Sequence, residues 1–249
     1  NILNGKIIVN KTISTTGLPE SKLAEKVKSW ELALPENFKL AYLPRPGIVR
    51  MRITATGKNR TELEKLINEE IDKLNEIIPA DIYAKEDIGI EYIIHRLLKN
   101  HNFTISTAES CTAGSVAALI ASVPGSSAVF KGSVVAYSNE VKINELHVNP
   151  DFIEKYGAVS EQVAIAMANG IRKIFKTSFS IAVTGIAGPE GGTIAKPVGT
   201  TWIAIASPQK AISKRFFFGE HRGRNIERSK IAALNLLRKS ILEITSGKK

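Results

Sequence analysis

TTWIAIASPQKAISKRFFF, residues 200–218, decides the fold of the larger part of this chain. Two apolar, branched runs, 200–206 and 211–218, flank a short Ser-Pro-Gln-Lys turn and read as consecutive strands. A hairpin of this kind makes part of the sheet antiparallel. Upstream the pattern changes. A helix from about Asp87 to Asn100, faced by Ile90, Ile93, Ile94, Leu97 and Leu98, leads to a strand at Phe103–Ser106. A small-residue helix follows Thr112, then a strand near Val134–Tyr137, helices around Glu140 and over Ser160–Phe175, and a strand at Phe179–Thr184. Strand and helix alternate as in α/β domains, and a long helix from about Asn225 to Ile244 covers the sheet. The expectation is a three-layer α/β/α domain with a mixed sheet over residues 85–249.

Residues 1–84 read as a separate, small α+β domain with KH-like strand and helix order. A strand over 7–15 precedes a helix from Ser21 to Leu32, on which Leu23, Ala24, Val27 and Trp30 recur at helical spacing. Strands at 39–43 and 47–56 surround the Pro44-Arg45-Pro46-Gly47 turn. A helix from Thr61 to Ile78 follows, with Thr61 and Glu64 as a capping box and Leu63, Leu66, Ile67, Ile71 and Leu74 on one face. Ile78-Pro79-Ala80-Asp81 ends the unit, with the boundary near residue 84.

Composition sets outer bounds. The 249 residues are 43% hydrophobic and 23% charged, as in water-soluble globular proteins, and no run reaches the roughly 18 apolar residues of a membrane span. One cysteine, Cys111, excludes an intrachain disulfide, and no secretory signal opens the chain, so a reducing cytoplasm is expected. The start at Asn1 rather than Met, followed at once by Ile2-Leu3, suggests further chain upstream. The net charge of +10 is concentrated: residues 210–249 hold 11 basic and 3 acidic side chains. A nucleic-acid surface, a phosphorylated small ligand and a solvated helix face all fit that asymmetry.

Three segments collect small and polar residues beside strand ends, where α/β proteins build sites. They are TAESCTAG at 107–114, PGSS at 124–127, and TGIAGP at 184–189 with Gly191-Gly192. Glycines allow close backbone approach, and hydroxyls at helix starts leave N–H groups free for an anion. No segment matches a Walker A loop or G-x-G-x-x-G. His95, His101, His147 and His221 are scattered, so spacing indicates neither a Ser-His-Asp triad nor a histidine metal site.

TAESCTAG, GSS followed by VAYSNEVK, YGAVSE, TGIAGPEGG and KPVGT together resemble, in order and spacing, the C-terminal domain of the competence/damage-inducible CinA family. The likeness covers about 150 residues. The first unit, with YLPRPGIVRMRITATG, resembles the small connecting domain of full-length members, in which a larger domain similar to molybdopterin-binding proteins comes first. The resemblance implies a nicotinamide-nucleotide amidohydrolase that converts nicotinamide mononucleotide to nicotinate mononucleotide and ammonia, without metal or other cofactor. It implies Ser127 as nucleophile, Lys142 as general base, and Tyr137 as proton relay or as the group orienting the lysine. Substrate-binding positions are expected at Glu109, Ser110, Cys111, Thr112, Gly125, Ser126, Thr184, Gly185, Gly188 and Thr200. Arg222 and Arg224, placed before the last helix, are expected to hold the 5′-phosphate by paired hydrogen bonds. His221 departs from the family's commonest form at that position. A homo-oligomer is expected; a membrane or nucleic-acid partner is not.

The chemistry makes one demand. An ordinary lysine has pKa ~10.4, and holding Lys142 neutral at pH 7 costs roughly 4 kcal/mol, which burial would have to supply. Val141, Ile143, Leu146 and Val148 offer an apolar setting. Cys111 is the rival nucleophile, because a thiol at a helix start would have a lowered pKa. A catalytically silent nucleotide-binding module and a nucleic-acid-binding protein are the competing functional readings. The nearly neutral first unit, without a G-x-x-G loop, speaks against the second.

Overall fold

In a computed structural model, which describes residues 2, 3 and 6–247, the chain divides into two compact units, residues 1–90 and 91–249. The sequence reading placed the division near residue 84. The short strand Ile82–Ala84, which that reading did not contain, pairs with the first unit's long strand, and Tyr83 Oη donates to Ile88 O at 3.1 Å.

The first unit comprises β1 (Ile2–Leu3), β2 (Lys6–Thr16), α1 (Glu20–Leu32), β3 (Phe38–Arg45), β4 (Ile48–Gly57), α2 (Arg60–Ile77) and β5 (Ile82–Ala84). Its antiparallel sheet has the order β1-β2-β4-β3, with β5 also on β2. Alternation on β4 buries Val49, Met51, Ile53 and Ala55 and turns Arg50, Arg52 and Thr54 outward. Leu23, Val27 and Trp30 of α1 and Leu63, Ile67, Ile71 and Leu74 of α2 complete the core. The expected Thr61–Glu64 capping box is not how α2 begins. Asn59, in extended backbone, caps it by accepting from the Glu62 N–H at 3.3 Å, so the helix starts one residue earlier.

The second unit contains α3 (Ile90–Asn100), β6 (Ile105–Glu109), α4 (Ser115–Ala121), a 3-10 turn at Ser126–Ala128, β7 (Phe130–Val135), α5 (Asn139–Asn144), α6 (Pro150–Tyr156), α7 (Glu161–Phe175), β8 (Phe179–Gly185), β9 (Thr200–Ala206), β10 (Ala211–Phe217) and α8 (Arg222–Ser246). The sheet order is β10-β9-β8-β6-β7. Here β6 runs parallel to β7 and β8, while β9 and β10 are antiparallel, giving the expected mixed sheet. Small residues on one face, Ala108, Ala182, Ala204 and Ala206, let α7 lie close through Ala164, Met167 and Ala168. Ser106 and Ser180 fix that contact by donating to Ile171 O and Ala168 O. α4 and α8 cover the other face, where Ser229 Oγ lies 3.5 Å from Thr201 Oγ1. The β9–β10 turn is closed by Ser207 N–H to Lys210 O at 2.9 Å and Lys210 N–H to Ser207 Oγ at 3.2 Å. The strand expected at Val134–Tyr137 lies earlier, at Phe130–Val135, which leaves Tyr137 beyond it and 59% exposed. Among the described residues no helix is long and apolar enough to cross a membrane.

Candidate active site

β6, β7 and β8 are parallel, so their C-terminal ends lie together: the 107–114 loop follows β6, residues 136–142 follow β7 and the 184–192 loop follows β8, whereas 124–127 precedes β7 at the other end of the sheet. After β6, the Ser110 N–H continues the ladder to Val183 O at 2.9 Å, and the chain then turns through Ala113 and Gly114, both at positive φ. Glu109, fully buried, holds this turn in place. Its carboxylate accepts from the Val116 N–H at 3.0 Å and the Ala117 N–H at 2.7 Å, satisfying the first turn of α4. Gly185 lies close against this turn and β9. A side chain there would meet Thr201 Oγ1 at 2.8 Å and Cys111 Sγ at 3.0 Å.

Lys142 is the centre of the arrangement. It lies on α5, whose N-cap Ser138 accepts from the Val141 N–H, and only 2% of it is exposed. Its Nζ is 2.8 Å from Ala136 O, 3.3 Å from Ser138 O and 3.2 Å from Ser110 Oγ. No carboxylate neutralises it among the described residues. Burial therefore pushes its pKa below the ordinary lysine value, opposed in part by the charges of Cys111 and Glu140. The amine is within donating distance of all three oxygens; were it neutral, with its two N–H bonds on the carbonyls, its lone pair would face the Ser110 hydroxyl. That is the geometry of a base activating an alcohol.

The structure brings Lys142 to Ser110 and not to Ser127. Ser127 is exposed in the 3-10 turn, where its carbonyl accepts from Lys131 Nζ at 3.3 Å. Its neighbours Gly125 and Ser126 are engaged locally, Gly125 O with His95 Nε2 and Ser126 Oγ with Ala121 O. Tyr137 Oη accepts from Arg222 Nη2 at 3.2 Å, while Arg222 Nη1 donates to Gly188 O at 2.9 Å. Both arginines lie in the first turn of α8, not before it, because His221 is the N-cap and accepts from the Arg224 N–H. The Arg224 side chain is exposed. Thr184 Oγ1 donates to Ala158 O at 2.8 Å, whereas Thr112 Oγ1 and Thr200 Oγ1 are buried without a partner.

Cys111 does not meet the expectation of a low thiol pKa. It sits four residues before α4 begins, and burial, reinforced by the Glu109 charge, pushes its thiol up to about 12. Asn225 was not expected. Almost fully buried, it ties the 186–192 loop to α8 by donating to Ala187 O and Gly219 O, both at 2.9 Å. Its place three residues after Arg222, one helical turn on, was the only signal in the sequence. Among the described residues no group of three His, Cys, Asp or Glu side chains is placed to hold a metal ion.

Comparison with known proteins follows the same division. Residues 88–241 match the CinA C-terminal domain, and residues 10–84 match the damage-inducible protein CinA KH domain. A CinA-like protein of Flavobacterium psychrophilum is 46% identical over 95% of this chain, and one of Cytophaga hutchinsonii is 43% identical over the same share. The chain spans 57% of the length of each. Among solved structures, the competence/damage inducible protein CihA of Agrobacterium tumefaciens is 34% identical over 60% of this chain and 94% of its own, with a TM-score of 0.58. A competence-damaged protein (CinA) superfamily protein of Enterobacter cloacae is 28% identical, covers 64% of this chain and 96% of its own, and has a TM-score of 0.59. With both domain types present in order and close relatives along nearly its whole length, the chain belongs to the CinA family.

Proposed function

We infer that the chain is a serine amidohydrolase that cleaves the carboxamide of nicotinamide mononucleotide, giving nicotinate mononucleotide and ammonia. The observation that carries this reading is the buried, carboxylate-free Lys142 with its amine on the Ser110 hydroxyl. In the first half-reaction Lys142 takes the Ser110 proton as Oγ bonds to the carboxamide carbon. In this reading the Thr112 N–H, which makes no backbone–backbone hydrogen bond among the described residues, receives the developing oxyanion. Lys142 then returns the proton to the leaving nitrogen as the C–N bond breaks, and ammonia departs from a seryl ester. Water, deprotonated by the same amine, attacks the ester carbon; that proton passes to Ser110 Oγ as the ester C–O bond breaks, and the product acid leaves and ionises by giving its proton to solvent.

Arg222 and Arg224 serve the 5′-phosphate in this reading, with Tyr137 holding the Arg222 guanidinium. The family resemblance puts Ser127 in the nucleophile's place; the geometry favours Ser110. Ammonia release from nicotinamide mononucleotide by Ser110→Ala, Ser127→Ala and Cys111→Ala, with chelator present, separates them. Loss in Ser110→Ala with activity kept in the other two is expected. Loss confined to Ser127→Ala would restore the serine of the family pattern, and no turnover by the parent chain would reduce it to a nucleotide-binding module.

A further inference from the structure

On the same face of the central sheet, away from Ser110, lies a cleft of about 250 Å³. Trp202 of β9 is half-buried in it, and Tyr156, Val159, Ser160, Lys196 and Arg215 stand around it. Strand register locates it. Glu109 is level with Val183, so Ser110 is level with Thr184; Thr184 pairs with Trp202, and Trp202 with Arg215. Alternation turns this row toward α7, as Ser180, four residues before Thr184, and Ser213, two before Arg215, show by bonding to Ala168 O and the Glu161 carboxylate. Strands about 4.8 Å apart put Trp202 roughly 10 Å along the row from Ser110. Between them the Thr184 hydroxyl binds Ala158 O, so the turn at residues 157–159 lies over the middle of the row. The cleft is a compartment of its own.

Its chemistry is that of a receptor for a ring with a negative charge. Lys196 Nζ donates to Tyr156 O, and Arg215 Nη2 donates to Ala195 O at 3.3 Å. Backbone carbonyls hold both cations in position, and neither has a carboxylate partner among the described residues. Gly157, at φ 75°, makes room for the ammonium, since a Cβ there would lie 3.0 Å from Lys196 Nζ. The one acidic side chain in the lining, Glu161, accepts from Ser213, leaving a surplus of positive charge. Trp202 and Tyr156 supply aromatic surface, and the volume suits one ring rather than a dinucleotide.

We propose that this cleft is a second ligand site, separate from Ser110 and Lys142, that takes a single aromatic ring bearing one anionic group, with the ring on Trp202 and the anion at Lys196 and Arg215. The probe is nicotinate, titrated calorimetrically into the full chain carrying Ser110→Ala, so that binding is read without turnover. Saturable one-site binding is expected, at least tenfold weaker for neutral nicotinamide and about tenfold weaker in Arg215→Ala or Lys196→Met. Arg215 is exposed, so its loss leaves the fold intact. Quenching of tryptophan fluorescence that survives Trp30→Phe and vanishes in Trp202→Phe would place the ring. Absence of saturable binding overturns the site. So does binding indifferent to Arg215 and Lys196 but lost in Lys142→Met, which would put the ring in the Ser110 pocket. Either result stands whether or not the chain hydrolyses amides.

Discussion

The two units treat buried charge in opposite ways. In the first, Glu70 accepts from Trp30 Nε1 at 3.0 Å and pairs with Lys73 at 2.7 Å, while Asp81 pairs with Lys26 at 3.0 Å. In the second, Lys142 and Glu109 are more deeply buried, and neutral dipoles alone hold them: two carbonyls and a hydroxyl for the amine, N–H and hydroxyl groups for the carboxylate. Leaving a charge buried without a counter-charge is expensive. In the first unit the pairs serve packing, Glu70 joining α2 to Trp30 of α1 and Lys26 joining α1 to the turn before β5; in the second, the unneutralised amine stands beside the hydroxyl of the proposed nucleophile. The cost falls where the proposed chemistry would use it.

That contrast can be broken most decisively at Lys142. Lys142→Met should lower ammonia release by a factor on the order of 10³ or more, as loss of a general base does, and raise the melting temperature because an unpaired buried amine becomes an apolar side chain. Activity loss together with a lower melting temperature would mean that the amine is structural. The pH dependence sharpens the point. Because burial lowers the Lys142 pKa, the folded state binds fewer protons there than the unfolded one between that lowered value and the ordinary lysine value near ~10.4. Its contribution to stability is therefore present above the unfolded value and is lost as pH falls through the window to the folded value. Lys142→Met should remove that dependence in paired denaturant titrations. kcat should likewise rise with pH along a limb below the ordinary lysine range, a limb that would persist unchanged if Lys142 were not the base.

Smaller effects follow from the partners. Glu109→Ala should cost about 1–3 kcal/mol by orphaning the N–H groups at the start of α4, whereas Lys22→Ala, at an exposed pair with Glu25, should cost no more than about 0.5 kcal/mol. Urea titrations of both variants test the ranking. Cys111 should resist alkylation at pH 8 in the folded protein and react on unfolding, since its thiol is pushed up to about 12. Rapid labelling of the native chain would mean that the pocket opens.

Periodicity made the long elements legible: α2 and α8 bury a recurring stripe, and the 200–218 hairpin is where the sheet turns antiparallel. The short pieces β5 and α6 escaped: three residues carry too little pattern to read, and α6 has only Phe152, Ile153 and Tyr156 to mark a face. The motif loops were legible as loops, and 107–114 and 184–192 as neighbours once the parallel strands were placed, whereas 124–127 lies at the other end of β7. Their pairings were not. That Lys142 reaches Ser110 depends on α5 turning back from β7 over the end of β6, a matter of three-dimensional path that spacing along the chain does not encode. The Cys111 expectation failed for a related reason: a helix start was assumed where the chain first makes a turn through Ala113 and Gly114, and burial, not a helix terminus, governs the thiol.

The closed turn between β9 and β10 has a practical use. β9 begins level with the end of β8 and runs back antiparallel to it, so Ser207–Lys210 lies at the end of the sheet remote from Ser110. Pro208 and Gln209 at its tip are exposed. A reporter peptide spliced between them should be tolerated, offering a handle for immobilising or labelling the protein without obstructing entry to its pocket.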